Sequence, residues 1–301
     1  MTRRSWTIYL QILAAMAAVF LGAGAAAAAP PSLNDILATS PRTDWRILDP
    51  RDLLVMQLPA GRVVILLAPE FAPNTVANIK ALARAHYFDG AAIVRAQDNY
   101  VVQWARTDRQ TLGSAKTRIA PEFDRAAVHN TNFLRLSDPD TYAPQTGFLS
   151  GFPVARDHGR EWLTHCYGMV GVGRDNAADS GNGSELYAVI GQSPRNLDRN
   201  VTLVGRVVQG IELLSALPRG TGALGFYVKP SQNVPIASIR LASDLPARQQ
   251  PHVEALRTES GTFRAVIEER RTRPDPWYIH SPGHVGVCNV PLPARDVSQK
   301  H

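Results

Sequence analysis

Apolar positions along this chain fall mostly into short runs punctuated by glycine and proline, a pattern of strands and turns rather than long helices. Leu53 to Leu58 and Val63 to Leu67 are two such runs, and Pro59-Ala60-Gly61 between them reads as a hairpin turn. Ala72-Pro73-Asn74 then opens a helix, because proline is tolerated in a first turn. Val76, Ile79, Leu82 and Ala83 recur at helical spacing and mark its buried face. Tyr87-Phe88-Asp89-Gly90 predicts a tight turn, followed by a strand from Ala92 that Arg95 interrupts. Asp98-Asn99 turns the chain again, and Tyr100 to Trp104 alternates as the returning strand. Further on, Gly168 to Asp175 is a strand permeated by glycine, and Ile211, Leu214 and Leu217 mark a second helix. Pro235 to Ile239 suits a closing strand.

The ends of the chain follow other patterns. Met1 to Ala29 reads as a secretory signal: Arg3-Arg4 precede an apolar stretch from Ile8 to Leu21, and an Ala-rich run supplies small-residue cleavage sites. A retained membrane anchor is the alternative, since a spanning helix needs roughly 20 apolar residues. Residues 30–46 form an irregular leader, 47–245 the β-rich domain and 246–301 a C-terminal extension. Inside the domain, residues 106–165 read as an insertion, loop-rich from Asp138 to His158. Phe148 and Phe152 in it either shape a neighbouring groove or belong to a surface elaboration. In the extension, His252 to Arg271 predicts a helix with Val253, Leu256, Phe263, Val266 and Ile267 placed for docking; Trp277 to Pro293 is an irregular arm.

Composition narrows the function classes. A length of 301 residues accommodates one core of roughly 200 residues plus extensions. A hydrophobic share of 45% and a charged share of 19% are those of a globular chain, which excludes wholesale disorder. The net charge of +6 falls to +4 once Arg3 and Arg4 are set aside, and no Lys/Arg block interleaves with aromatics, so there is no nucleic-acid footprint. Export gives Cys166 and Cys288 two readings, a disulfide in an oxidising compartment or two buried thiols. His280, His284 and Cys288 have helical ligand spacing, but Pro282-Gly283 break a helix there, and no metal is predicted. Thr164-His165-Cys166 and Asp179-Ser180-Gly181 echo a serine protease but lie too close together for a barrel to intervene. The Gly-x-Gly near Gly173 lacks the strand–loop–helix context of a nucleotide site.

Four ordered motifs between about Leu53 and Leu241 resemble the cyclophilin family of peptidyl-prolyl isomerases. The family runs aromatic-Asp-Gly, a strand with a catalytic arginine, then Phe-Met-x-Gln. Here Arg95 falls on the arginine, Tyr100 on the Phe, Val101 on the Met and Gln103 on the Gln. Val94 stands where the family has a His, and Trp104-Ala105-Arg106 where it has Gly-Gly-Asp. Gly168 to Asp175 matches the strand along which the bound peptide lies, and Asn182-Gly183-Ser184-Glu185-Leu186-Tyr187 the Asn-x-Ser-Gln-Phe-Phe region. Asn196-Leu197-Asp198 matches Trp-Leu-Asp, with Val201 in place of a following His, and Val204-Gly205-Arg206-Val207 matches Phe-Gly-x-Val. Pro121-Glu122-Phe123 resembles a further short element.

The resemblance implies a closed eight-stranded antiparallel barrel capped by two helices. It also implies a reaction. The X-Pro amide resists rotation because its C–N bond has partial double-bond character. A donor aimed at the prolyl nitrogen and an apolar hollow for the ring would together favour the twisted state. Arg95 takes the first role, and Tyr100, Val101, Gln103, Gly173, Glu185, Leu186, Tyr187, Asn196, Leu197 and Val201 are the expected binding residues. If buried, the hydroxyl of Tyr187 needs a partner. The implied partners are proline-containing polypeptides met in a periplasmic or secreted location. A monomer is expected, with no cofactor, no nucleic acid and no membrane contact after signal cleavage. A non-catalytic prolyl-peptide-binding chaperone on the same fold is the alternative, because the pocket is substituted.

Overall fold

The structure, a computed structural model, describes residues 30–108, 111–129 and 131–297; the expected signal, Met1 to Ala29, lies outside them. A capped turn of helix, α1 (Leu33–Ala38), precedes β1 (Trp45–Ile47), the hairpin β2 (Leu53–Leu58) and β3 (Gly61–Leu67), helix α2 (Pro73–Arg84), and the hairpin β4 (Ala92–Ala96) and β5 (Val101–Ala105). Next come β6 (Arg125–Ala126), β7 (Leu134–Arg135), β8 (Gln145–Leu149), β9 (Phe152–Asp157) and β10 (Arg160–Leu163). The chain continues through β11 (Met169–Val172), β12 (Leu186–Val189), β13 (Leu203–Gln209), the short α3 (Ile211–Ser215), β14 (Val234–Pro235) and β15 (Ser238–Leu241). The C-terminal part adds β16 (Val253–Leu256), α4 (Gly261–Thr272) and β17 (Ala294–Asp296).

The principal sheet is mostly β, antiparallel and curled, with nine strands in the order β14-β4-β5-β12-β11-β13-β3-β2-β15. Its edge strands are successive pieces of one segment. Pro235 pairs with β4 but has no N–H to extend the ladder. The chain then changes partner, the Ile236 amide donating to Ala91 and the Ala237 amide to Gln57, before β15 pairs with β2. The expected closed eight-stranded barrel with two helical caps is therefore met only in its coarser form. A nine-stranded curled sheet carries one helix of 12 residues and one of 5.

Two cores flank this sheet, which explains why β2 and β3 read as nearly continuous apolar runs. Leu54, Met56, Ile65 and Leu67 face the inner core with Trp104, Leu186 and the Val76, Ile79 and Leu82 stripe of α2. Leu53, Val55, Val64 and Leu66 face an outer core with Phe148, Val253, Phe263 and Val266. The second core is built from the insertion and the C-terminal extension. Strands β6 to β10 form their own sheet in the order β6-β10-β9-β8-β7. From that sheet Phe148 packs edge-on against Phe263 of α4 with ring centroids 4.9 Å apart. Phe148 and Phe152 are thus buried residues of the outer core, and neither lines the cleft beside Arg95.

The expected helix over His252 to Arg271 is split. Val253 to Leu256 alternate and pair with β1, whereas α4 begins only after Ser260, whose Oγ accepts the Phe263 amide at 3.1 Å. Cys166 and Cys288 are joined in a disulfide that fastens the extension to the start of β11. This bond also occupies the Cys288 sulfur, and among the described residues no group of three His, Cys, Asp or Glu side chains converges as a metal site.

Candidate functional site

The register of the β4–β5 hairpin moves from Ile93 opposite Trp104 to Arg95 opposite Gln103, so Val94 is the extra residue of a bulge. That slip sets Arg95 directly across from Gln103. One terminal nitrogen of Arg95 donates to Gln103 Oε1 at 3.0 Å, Nε donates to the Leu224 carbonyl at 2.6 Å, and the other terminal nitrogen donates to Gln97 Oε1. These bonds use three of the five guanidinium N–H groups and leave two free of them. The rings of Tyr100 and Phe226 flank the guanidinium carbon at 5.6 and 5.4 Å. Burial lowers the Arg95 pKa, with Tyr100 opposing, yet the guanidinium stays cationic at neutral pH.

Gln103 is buried and faces two ways. Its Oε1 accepts from Arg95 while its Nε2 donates to Glu185 Oε2 at 2.9 Å. A cation on one side and a carboxylate on the other fix the amide orientation. Partial desolvation raises the Glu185 carboxyl above its ordinary pKa, against the bond from Gln103, and Asp175 adds to the rise.

Beside this chain lies an open cleft of about 950 Å³. Its apolar floor is the small cluster of Val101, Tyr187 and Val189, with Tyr100 and Val201 packed against it. Of the expected residues, Arg95, Tyr100, Val101, Gln103, Gly173, Glu185, Tyr187, Leu197 and Val201 all line the cleft. Leu186 does not. Successive strand residues face opposite sides, so Glu185 and Tyr187 reach the cleft while Leu186 is buried in the inner core. Asn196 does not either: it is exposed in the 3₁₀ turn Arg195–Leu197, and Leu197 takes the inward position. The glycines of the neighbouring strand make room. A Cβ at Gly171 would lie 2.4 Å from the Tyr187 hydroxyl, and one at Gly173 2.7 Å from Glu185 Oε2.

Sequence reasoning missed Leu224 and Phe226, which come from a loop 129 and 131 positions beyond Arg95 and carry no motif. It also missed what lies under the floor. The Tyr187 hydroxyl is 2.9 Å from His165 Nε2, and His165 Nδ1 is 2.9 Å from Asp198 Oδ1. Arg195 Nε donates to Asp198 Oδ2 at 2.6 Å, and its terminal nitrogens grip Asp140 at 2.9 and 3.1 Å. The carboxylate can only accept, so Nδ1 donates to it, and the bond between Nε2 and the hydroxyl carries the chain on to Tyr187. Burial pushes the Tyr187 phenol far above its usual pKa. Burial also works against the Arg195 charge, but Asp198 and Asp140 outweigh it and raise its pKa. Both ring nitrogens of His165 are thus engaged, and Ser180 bonds instead to Ala177 and Asp175, so the protease echo assembles no nucleophile.

Comparison with known proteins agrees with this geometry. The family model described as cyclophilin type peptidyl-prolyl cis-trans isomerase/CLD matches residues 53–241. A protein of Brucella suis named "Probable peptidyl-prolyl cis-trans isomerase" is 25% identical over 191 residues, covering 64% of this chain and 84% of its own. A Brucella abortus protein of the same name matches to the same extent. The crystal structure of cyclophilin AquaCyp293 from Hirschia baltica superposes with a TM-score of 0.68 at 24% identity, over 89% of this chain and 98% of that one.

Proposed function

The chain belongs to the cyclophilin-type peptidyl-prolyl cis-trans isomerase family, and from that premise we propose that Arg95 drives the isomerisation by donating to the prolyl nitrogen. The ring of a bound proline rests on Val101, Tyr187, Leu197 and Val201. Either of the two Arg95 N–H groups not used by Gln97, Gln103 and Leu224 reaches toward the amide. In the planar amide the nitrogen lone pair is delocalised and accepts poorly. As the bond twists the lone pair localises, and a hydrogen bond to a cation strengthens, which lowers the twisted state relative to both planar ones. No covalent bond forms. Gln103 and the Leu224 carbonyl hold the guanidinium in place, so little reorganisation accompanies the rotation.

The observation that carries this reading is the guanidinium held from three sides at the rim of a hollow floored by Val101 and Tyr187. A protease-coupled assay on an X-Pro tetrapeptide tests it. Wild type accelerates isomerisation, and Arg95→Ala lowers kcat/KM by roughly 10²-fold with an unchanged thermal melt. An equal rate in the variant removes Arg95 from the mechanism, and no acceleration by wild type favours a prolyl-peptide-binding chaperone.

The clients we propose are exported proteins in a periplasmic or extracellular setting. The signal pattern of Met1 to Ala29 supports this, as does the Cys166–Cys288 disulfide, a bond that persists in oxidising compartments. N-terminal sequencing of the mature protein after cell fractionation tests the location.

A further inference from the structure

A second cleft, of about 540 Å³, lies between β11, β13 and the arm 287–292 that the disulfide holds down. It is separate from the isomerase cleft in every lining residue. Arg206 enters it from β13 with only 5% of its surface exposed. One terminal nitrogen donates to the Leu292 carbonyl at 3.1 Å, but the buried Nε has no hydrogen-bond partner. Among the described residues no carboxylate is ion-paired with Arg206, and the charge that acts on it is the like charge of Arg46. Arg270 lines the same cleft from α4. Its buried Nε makes no hydrogen bond either and is only loosely ion-paired, 3.5 Å from Glu269 Oε2.

A guanidinium out of water with no counter-charge is among the costliest arrangements a fold can hold, and one backbone carbonyl offsets little of it. Burial and Arg46 together push Arg206 down to about 9, so at neutral pH the cation persists against that cost. The remaining walls are mostly apolar, with Met169, Ile211, Val290 and Leu292 facing the same space as Asn289 and Tyr167. Two guanidiniums at a greasy cleft match a ligand that is anionic at one end and hydrocarbon at the other.

We propose that this cleft binds an aliphatic carboxylate, with Arg206 and Arg270 taking the head and the Met169, Ile211 and Leu292 walls taking the body. A fatty acid and a polypeptide C-terminus ending in an apolar residue share that chemistry. Calorimetric titration of the full chain with octanoate, and with a tripeptide ending in leucine, distinguishes these sources. Binding of either supports the site, expected to weaken at least about tenfold in Arg206→Met and in Arg270→Gln. Acetate and 1-octanol, each carrying half of the ligand, bind more weakly than octanoate. Arg206→Met without ligand melts no lower than wild type, because it removes an uncompensated charge. Should that variant not fold, Arg270→Gln, on the partly exposed flank, carries the comparison. The assignment is overturned if wild type binds neither probe, if both variants bind as wild type does, or if acetate or octanol equals octanoate.

Discussion

Tyr187 shows how a single hydroxyl ties the floor of the cleft to the rest of the molecule. Its ring supplies the apolar surface, while its oxygen is bound to His165, itself held by Asp198. Tyr187→Phe keeps the surface but leaves the buried Nε2 of His165 unsatisfied. Stability is expected to fall by about 1–3 kcal/mol in urea denaturation; an unchanged midpoint would show that the buried bond contributes nothing. Glu185 makes a different prediction, about pH. A carboxyl whose pKa is raised on folding binds more protons in the native than in the unfolded state just above its ordinary value of 4.5. Its contribution to stability is therefore lost as pH rises through that range. Glu185→Gln still accepts from Gln103 but cannot ionise, so its stability should gain on wild type between pH 4 and pH 7. Parallel denaturation curves across that range, with no gain, would contradict the assignment.

Helix α2 illustrates what one element borrows from another. Its N-cap position is Ala72, which has no side-chain acceptor. Glu122 supplies it from the insertion, Oε1 accepting the Asn74 amide at 2.9 Å and Oε2 the Thr75 amide at 2.9 Å and hydroxyl at 2.7 Å. Glu122→Ala removes that cap and is expected to destabilise by about 1–2 kcal/mol, measured as a shift in the unfolding midpoint. The helix itself was legible, since Val76, Ile79 and Leu82 follow its period. Its cap was not, because the accepting carboxylate of Glu122 lies 48 residues beyond Asn74. The same divide runs through the site. Arg95, Val101, Gln103 and Tyr187 sit on two hairpin-like stretches whose alternation is readable, and the family resemblance assigns their roles. Leu224, Phe226 and the His165–Asp198–Arg195 chain are brought in by tertiary packing, which no local period records. Leu186 was misplaced for a simpler reason, since a motif read as adjacent letters ignores the alternation of a strand. The split of the expected helix over 252–271 has a similar origin. Short apolar runs do not separate helix from strand, and only the pairing of Val253 to Leu256 with β1 decides.

At the scale of the whole molecule, the family-matched region is packed against segments outside it. Residues 53–241 contain β2 and β3, but the outward faces of these strands, with Val55, Val64 and Leu66, are covered by Val253, Phe263, Val266 and Val290 from the extension. Three kinds of tie hold that cover in place. The Cys166–Cys288 disulfide closes a span of 122 residues, which restricts the unfolded chain and stabilises by about 2–4 kcal/mol. Asp138 in the insertion binds Arg271 of α4 at 2.6 Å and accepts the Val285 amide at 3.0 Å. Strand β16 lies between β1 and β17. A chain ended at Pro246 loses all three and bares a contiguous apolar face, including Phe148 and its contact with Phe263. Such a face exceeds what a monomeric surface ordinarily tolerates. The shortened chain is therefore expected to aggregate or to bind a hydrophobic dye strongly, although Arg95, Gln103 and Tyr187 are all retained. Size-exclusion chromatography decides the matter. A monodisperse, cooperatively melting product would mean that the sheet tolerates one bare face, and that the extension serves something other than the outer core.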